Sequence, residues 1–263
     1  MPSELNILQV DNLSKYFGGL AAVSNCSLKI KKGSITGIIG PNGSGKTTLF
    51  NLIAGNLKSS AGNVMFNNKN ITDVPSYELF SRGLLRTFQI AHEFTNLSVL
   101  ENLMMVPGNQ SGEKLMNTFL KPSLVEEEEK KIKEKAKEVV EFLNLAHLTN
   151  ELAGNLSGGQ KKLLELGRTM MVDAKLVLLD EVGAGVNRTL LKDLGTAIEK
   201  LNKEKGYTFC MIEHDMDFIG RLCDPVIVMA EGSVLFEGSV EDAKKDEKVI
   251  ESYLGRGSKL KDN

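Results

Sequence analysis

Residues 40–47 read Gly-Pro-Asn-Gly-Ser-Gly-Lys-Thr and meet the pattern G-x-x-x-x-G-K-[ST] at every fixed position. Before this run, Ile35–Ile39 is short, apolar and β-branched, and reads as a buried strand. After it, Leu49, Leu52 and Ile53 fall at helical spacing within 47–54. Strand, glycine loop and helix in that order make a phosphate-binding turn. Gly40, Gly43 and Gly45 let the backbone aim successive N–H groups at a polyphosphate. The following helix presents free N–H groups and the positive end of its dipole. Lys46 brings a full charge to the β- and γ-phosphates, and the Thr47 hydroxyl is placed to ligate Mg²⁺.

A length of 263 residues allows a large core, and the 41% hydrophobic and 25% charged fractions are those of an ordinary globular protein. A net charge of −2 gives no global reason to expect nucleic-acid binding. The three cysteines, Cys26, Cys210 and Cys223, show no paired spacing, which suits buried thiols in a reducing compartment rather than disulfides or zinc. Residues 1–10 lack the basic start and apolar centre of a signal peptide. No apolar run approaches 18 residues, so any work at a membrane is expected to pass through a partner.

Strands are expected over 5–10 and 26–30, around a turn at Gly18-Gly19, and over 64–66. Turn formers between Pro107 and Pro122 predict a loop or insertion. Residues 126–145 then form a charged helix, with Ile132, Ala136, Val139, Val140 and Leu143 as its apolar stripe and three acid-before-base pairs, Glu126–Lys130, Glu127–Lys131 and Glu129–Lys133. Beyond it the pattern alternates: helix 163–171, strand 176–179, helix 189–203, strand 207–212, helix 218–222, strands 226–229 and 233–237. Such alternation implies an α/β fold with a parallel sheet covered on both faces. The polar tail 255–263 reads as frayed.

Leu176–Leu179 is an apolar strand that ends in Asp180 and Glu181. Ligands of a parallel sheet sit at the carboxyl ends of its strands. Asp180 can therefore reach the phosphate loop and hold Mg²⁺, and Glu181 can polarise an attacking water as a general base. Leu156-Ser-Gly-Gly-Gln160 precedes a helical run, where Ser157 can cap the helix and two glycines bare its N-terminus to an anion.

The phosphate loop, the LSGGQ sequence about 110 residues later, the apolar-Asp-Glu strand about 20 beyond and Glu213-His214-Asp215 resemble the nucleotide-binding domain of an ATP-binding cassette (ABC) transporter. The resemblance implies a P-loop NTPase of ABC type, with an antiparallel β subdomain and a helical subdomain. It implies one domain over 1–263, the helical part roughly 90–170 being inserted in the ATP-binding core. ATP and Mg²⁺ follow as cofactors. Contacts to ATP would come from Gly40, Pro41, Asn42, Gly43, Ser44, Gly45, Lys46, Thr47 and Thr48. Phe17, before Gly18-Gly19, matches the aromatic that stacks on adenine, with Tyr16 the other candidate and core packing the alternative for Phe17. Gln89 matches the glutamine that senses Mg²⁺ and water and links the site to the membrane partner, so the metal set is Thr47, Gln89 and Asp180. His214 matches the histidine at the γ-phosphate, and the catalytic set is Glu181, His214, Lys46 and Gln89. Ser157, Gly158, Gly159 and Gln160 would act on the ATP of a second subunit in a head-to-tail dimer.

One segment departs from the family pattern. Val182 stands where proline commonly follows the catalytic glutamate, while Asn187 is acceptable at the end of the dimer-contact loop. Softer marks are similar to the ATPase subunits of branched-chain amino acid importers: Phe17-Gly-Gly-Leu20, Arg86-Thr-Phe-Gln89, Leu97-Ser-Val-Leu-Glu-Asn-Leu103, Ile212-Glu-His-Asp-Met216 and Tyr253-Leu-Gly255. Urea and amide importers, lipopolysaccharide-export ATPases and non-transport ABC modules remain alternatives. The resemblance implies a peripheral protein on the cytoplasmic face of the cell membrane. Its implied partners are a second ATPase subunit (identical or paralogous), permease subunits and a periplasmic or extracellular substrate-binding protein, with no nucleic acid. Phe94, Leu97, Val99, Leu100, Leu103, Met104 and Met105 form an apolar stretch after Gln89, part of which must be core while the rest suits a permease helix.

Overall fold

The structure is a computed structural model that describes residues 6–87, 94–108, 110–113 and 120–258. The chain divides into two compact units, Met1–Arg86 with Lys175–Gly183 and Glu199–Asn263, and Thr87–Ala174 with Ala184–Ile198. Among the described residues the strands are β1 Asn6–Phe17, β2 Leu20–Lys31, β3 Ile35–Ile39, β4 Ala61–Phe66, β5 Lys69–Asn70, β6 Leu84–Arg86, β7 Leu176–Asp180, β8 Thr208–Ile212, β9 Val226–Ala230 and β10 Ser233–Gly238.

The first unit holds both sheets. Six strands run in the order β10-β9-β3-β8-β7-β6, parallel from β9 to β6 with β10 antiparallel at the edge. Every residue of β3, β7 and β8 is buried, as expected of parallel strands covered on both faces. Ile212 pairs with both Ile38 and Asp180, so β3, β8 and β7 end level. The chain therefore leaves all three strands at one edge of the sheet, at Gly40, Glu213 and Glu181.

The second sheet is antiparallel, in the order β2-β1-β4-β5. Its first two strands are longer than the sequence suggests and run to the turn itself, with Phe17 facing Leu20 across Gly18-Gly19. The polar residues that hide this strand sit at irregularities in the register, where Asn12 and Asn25 take φ of 48° and 45°. Asparagine tolerates that conformation better than most residues. Leu8, Leu13, Ile30, Phe50, Ile53 and Met229 belong to one buried cluster that the two sheets share with the helix α1, Lys46–Ile53.

Short elements escaped the sequence reading: α2, Ser76–Ser81, and β6 are too brief for periodicity to register. The expected frayed tail is a correction as well. The helix Glu247–Ser258 continues through Gly255, and 259–263 lie outside the described residues.

The second unit is helical. Its helices α3, Val99–Met104, α4, Pro122–Phe142, and α5, Gly158–Met170, meet at Gly167. A Cβ there would stand 2.7 Å from Leu143 Cδ1, 3.0 Å from Val139 Cγ1 and 3.3 Å from Leu103 Cδ2. The charged helix begins earlier than expected because Pro122 serves as its first residue. Ala136, Val139, Val140 and Leu143 form the buried stripe, Ile132 is half-buried, and Glu127 pairs with Lys131 at 2.7 Å on the exposed face. Within the loop expected over 107–122, Ser111–Glu113 is a 3-10 turn, tied down where Ser111 N and Oγ donate to the Glu128 carboxylate at 2.8 and 2.9 Å. Residues 109 and 114–119 lie outside the described residues. Among the described residues no helix is long and apolar enough to cross a membrane.

Candidate functional site

The phosphate loop lies in the first unit between β3 and α1. Gly40, Gly43 and Gly45 hold φ of 146°, 76° and 98°, the left-handed range that glycine alone accepts freely. Space is also short: a Cβ on Gly45 would stand 2.4 Å from the Ala22 carbonyl oxygen, and one on Gly40 2.1 Å from that of Met229. Gly45 caps α1 with no side chain of its own at the helix N-terminus, whose positive end favours an anion. Ser44 is buried and its N–H donates to Pro41 O at 3.1 Å, while Asn42, Gly43 and Thr47 are exposed and Pro41 and Thr48 half-buried. The Lys46 ammonium is turned into the loop and donates to Gly40 O at 2.8 Å and Pro41 O at 3.1 Å. A phosphate entering here would replace those neutral carbonyl acceptors with anionic oxygens.

Two carboxylates leave the end of β7 with different environments. Asp180 is buried and accepts from Arg86 Nη2 at 2.7 Å. Glu181 has φ of 48°, a strained setting for a side chain of this size. Its N–H donates to Ile212 O at 2.9 Å, which pins the strained residue to β8. Glu181 Oε1 lies 3.1 Å from His214 Nε2, with the glutamate partly shielded and the imidazole half exposed. Beneath them Glu213 is buried and accepts from Gly183 N at 2.7 Å and from His214 N at 3.3 Å. Burial raises the Glu213 pKa, and the two backbone donors oppose that. Val182, in place of the family's proline, is buried, so its side chain anchors the loop.

Hard oxygen donors fit Mg²⁺: the Thr47 hydroxyl and the Asp180 carboxylate. No group of three or more His, Cys, Asp or Glu able to hold a metal occurs among the described residues. Gln89 lies outside the described residues.

Phe17 and Tyr16 are both about half exposed, at 48% each, so core packing does not account for Phe17. Lys15 Nζ stands 5.2 Å from the Phe17 ring centre. In the second unit, Ser157 caps α5 in a reciprocal box: Ser157 N donates to Gln160 Oε1 at 2.9 Å, and Gln160 N to Ser157 Oγ at 3.4 Å. The two glycines differ. Gly158 is exposed, whereas a Cβ on Gly159 would lie 2.4 Å from Leu190 Cδ1, so Gly159 also serves packing. Asn187 Oδ1 accepts from Leu190 N at 2.9 Å and starts the helix Arg188–Lys205.

The apolar stretch after Gln89 divides between core and surface, as expected. Val99, Leu100 and Leu103 are core, while Phe94 at 49% and Met105 at 60% remain exposed. Buried Asn102 bonds Phe94 N and O at 2.9 and 3.0 Å and so fixes that turn. Sequence reasoning also missed three polar partners of the site. Arg86 and Glu213 were visible only as parts of motifs, and Tyr253, whose hydroxyl accepts from Gly40 N–H, only as part of an ending.

The profile of the family described as ABC transporter matches residues 23–184. The probable branched-chain amino acid transport ATP-binding protein LivG of Archaeoglobus fulgidus is 45% identical over 251 residues, covering 95% of this chain and 96% of the relative. A solved ADP conformation of an ATP-binding cassette of an ABC transporter has a TM-score of 0.82 at 40% identity, covering 95% and 99% of the two chains. A dimeric ATP-binding cassette bound to ADP and phosphate gives 0.72 at 25% identity, covering 89% and 98%.

Proposed function

Because the chain belongs to the ABC transporter family of ATP-binding cassettes, whose members hydrolyse ATP, we propose that it energises the import of branched-chain or related amino acids. The observation that carries the cargo class is the 45% identity, over nearly the full length of both chains, to the LivG relative. The same likeness is the reason to prefer amino acid import over the urea, lipopolysaccharide and non-transport alternatives.

The proposed chemistry follows from the first unit's geometry. The loop N–H groups and Lys46 receive the β- and γ-phosphates. Phe17 offers a face for adenine. Mg²⁺, held through Thr47 and Asp180 with Gln89 as a third candidate, would neutralise charge on the phosphates. Glu181 accepts a proton from the water that attacks the γ-phosphorus, the bond to the ADP oxygen breaks, and phosphate leaves. His214, beside Glu181, holds the carboxylate and meets the γ-phosphate. Strain at Glu181 supports this role, because a left-handed glutamate pinned by Ile212 is a costly way to build an inert turn. Ser157, Gly158, Gly159 and Gln160 would close over the ATP of a second subunit, a reading supported by the dimeric cassette. We place the protein on the cytoplasmic face of a membrane, bound to permease subunits and fed by a substrate-binding protein.

The test is reconstitution with the permease subunits encoded beside it and their binding protein. ATP hydrolysis is expected to rise with leucine, isoleucine or valine on the binding protein. Stimulation by urea alone, or by no solute, would reject the cargo class.

A further inference from the structure

Arg86 is the last residue of β6, and the chain passes from the first unit to the second at Thr87. Its guanidinium is largely buried, with 12% of the side chain exposed. One nitrogen, Nη2, donates to Asp180 Oδ2 at 2.7 Å, and the other, Nη1, donates to Asn51 Oδ1 at 2.5 Å. Asn51 lies on α1 one turn beyond Thr47, and its Nδ2 donates to Thr47 O at 2.9 Å. A continuous chain of hydrogen bonds therefore joins the residue that offers a hydroxyl to the residue that offers a carboxylate. Arg86 stands in the middle of it.

Two further facts bear on what Arg86 does there. Asp180 is buried, so its charge needs a counter-ion whenever no other cation is near. Among the described residues Arg86 Nε is buried without an acceptor, so the guanidinium keeps a donor that its two partners do not use. A side chain with a strong pair on one edge and an orphan donor on the other is poised to change partners.

We propose that Arg86 is a positioning residue that serves as counter-ion to Asp180 and competes there with the divalent cation that accompanies ATP. The proposal rests on the reading of Thr47 and Asp180 as the cation's protein donors. Two positive groups on one buried carboxylate repel each other, so arrival of the cation loosens the Arg86–Asp180 pair. Because Arg86 immediately precedes the crossing into the second unit, the loosening starts where the chain leaves the nucleotide site.

Arg86→Gln keeps a donor but removes the charge. With Mn²⁺ as the probe and ADP bound, electron paramagnetic resonance titration is expected to show Mn²⁺ binding about tenfold tighter than wild type, because a positive charge beside the carboxylate has been removed. Arg86→Lys keeps the charge and should restore affinity close to wild type. A purely structural ion pair predicts the contrary: lower thermal stability in Arg86→Gln with Mn²⁺ affinity unchanged or weaker, and that outcome overturns the proposal. Should Arg86→Gln fail to fold, the wild type supplies the test through the Arg86 Nε–H resonance, assigned by its loss in Arg86→Lys. It should shift on adding Mg²⁺ with ADP and stay in place with ADP in chelator. An unmoved resonance overturns the competition. If the wild type binds neither ADP nor ATP, the functional reading itself fails, a result separate from either of these.

Discussion

His214 Nε2 lies 3.1 Å from Glu181 Oε1, and the glutamate that it meets holds a backbone φ of 48°. The two side chains come from the ends of adjacent parallel strands, β7 and β8, brought level by the Asp180–Ile212 register. The sheet thus places the two strand ends from which Glu181 and His214 follow. Replacing Glu181 with Gln keeps size and hydrogen bonding but removes the proton acceptor. ATP binding should persist while phosphate release slows by roughly 10²–10⁴, or about 3–5 kcal/mol of barrier. His214→Ala should slow it too, and the double variant should lose much less than the sum, because the pair acts as a unit. Single-turnover phosphate release measures all three, and additive losses would show that the residues act independently.

The strain at Glu181 separates stability from activity. Asparagine adopts the left-handed conformation more readily than glutamate. Glu181→Asn is expected to raise stability by about 1 kcal/mol, roughly 2–4 °C in Tm, while hydrolysis falls as in Glu181→Gln. Calorimetry of the nucleotide-free protein reads this, and an unchanged or lower Tm would mean that the backbone there is relaxed.

Lys46 donates to Gly40 O and Pro41 O inside the loop that phosphate would fill. Lys46→Ala should abolish ATP binding with little change in fold, since the loop is shaped by Gly40, Gly43 and Gly45. Titration with a fluorescent ATP analogue checks it. Wild-type affinity in the variant would contradict the assignment of the loop.

Local signals made much of this site readable. The phosphate loop, the Asp180-Glu181 strand end and the Ser157 cap each occupy a few consecutive residues, where spacing alone carries the chemistry. The Arg86–Asp180 pair spans 94 positions and exists only because β6 lies beside β7, a pairing that no periodicity in a three-residue strand announces. Tyr253 reaches Gly40 for a similar reason, through a helix whose glycines and serine made it look like a loose tail. The β1–β2 hairpin was underestimated because its polar midsection coincides with the register shifts near Asn12 and Asn25.

All three cysteines are buried, and burial pushes the Cys26 thiol up from 9.0 to about 11 and Cys223 to about 12, with Cys210 raised as well. The folded state therefore keeps protons that the unfolded chain releases above pH 9. The sign follows: native stability is unaffected by these groups below pH 9 and falls as pH rises beyond it. At pH 8 the native protein should resist a thiol reagent, and after denaturation three thiols should react. Rapid labelling of the native form at pH 8 would contradict the burial.

Phe94 and Met105 flank a helix whose Val99 and Leu103 are locked in the core, which leaves two exposed apolar side chains on a rigid base. Arg168 stands 5.6 Å from the Phe94 ring centre and Asn102 fixes the Phe94 backbone, so the aromatic is held in the solvent rather than tucked away. Such a pair suits an apolar partner helix better than it suits water. Phe94→Asp and Met105→Asp are expected to leave the basal ATP hydrolysis of the isolated protein within about twofold, because surface changes away from the site cost little. In the reconstituted complex the same variants should lose stimulation by permease and loaded binding protein. The ratio of stimulated to basal rate is the measurement, and a wild-type ratio in both variants would place the docking surface elsewhere.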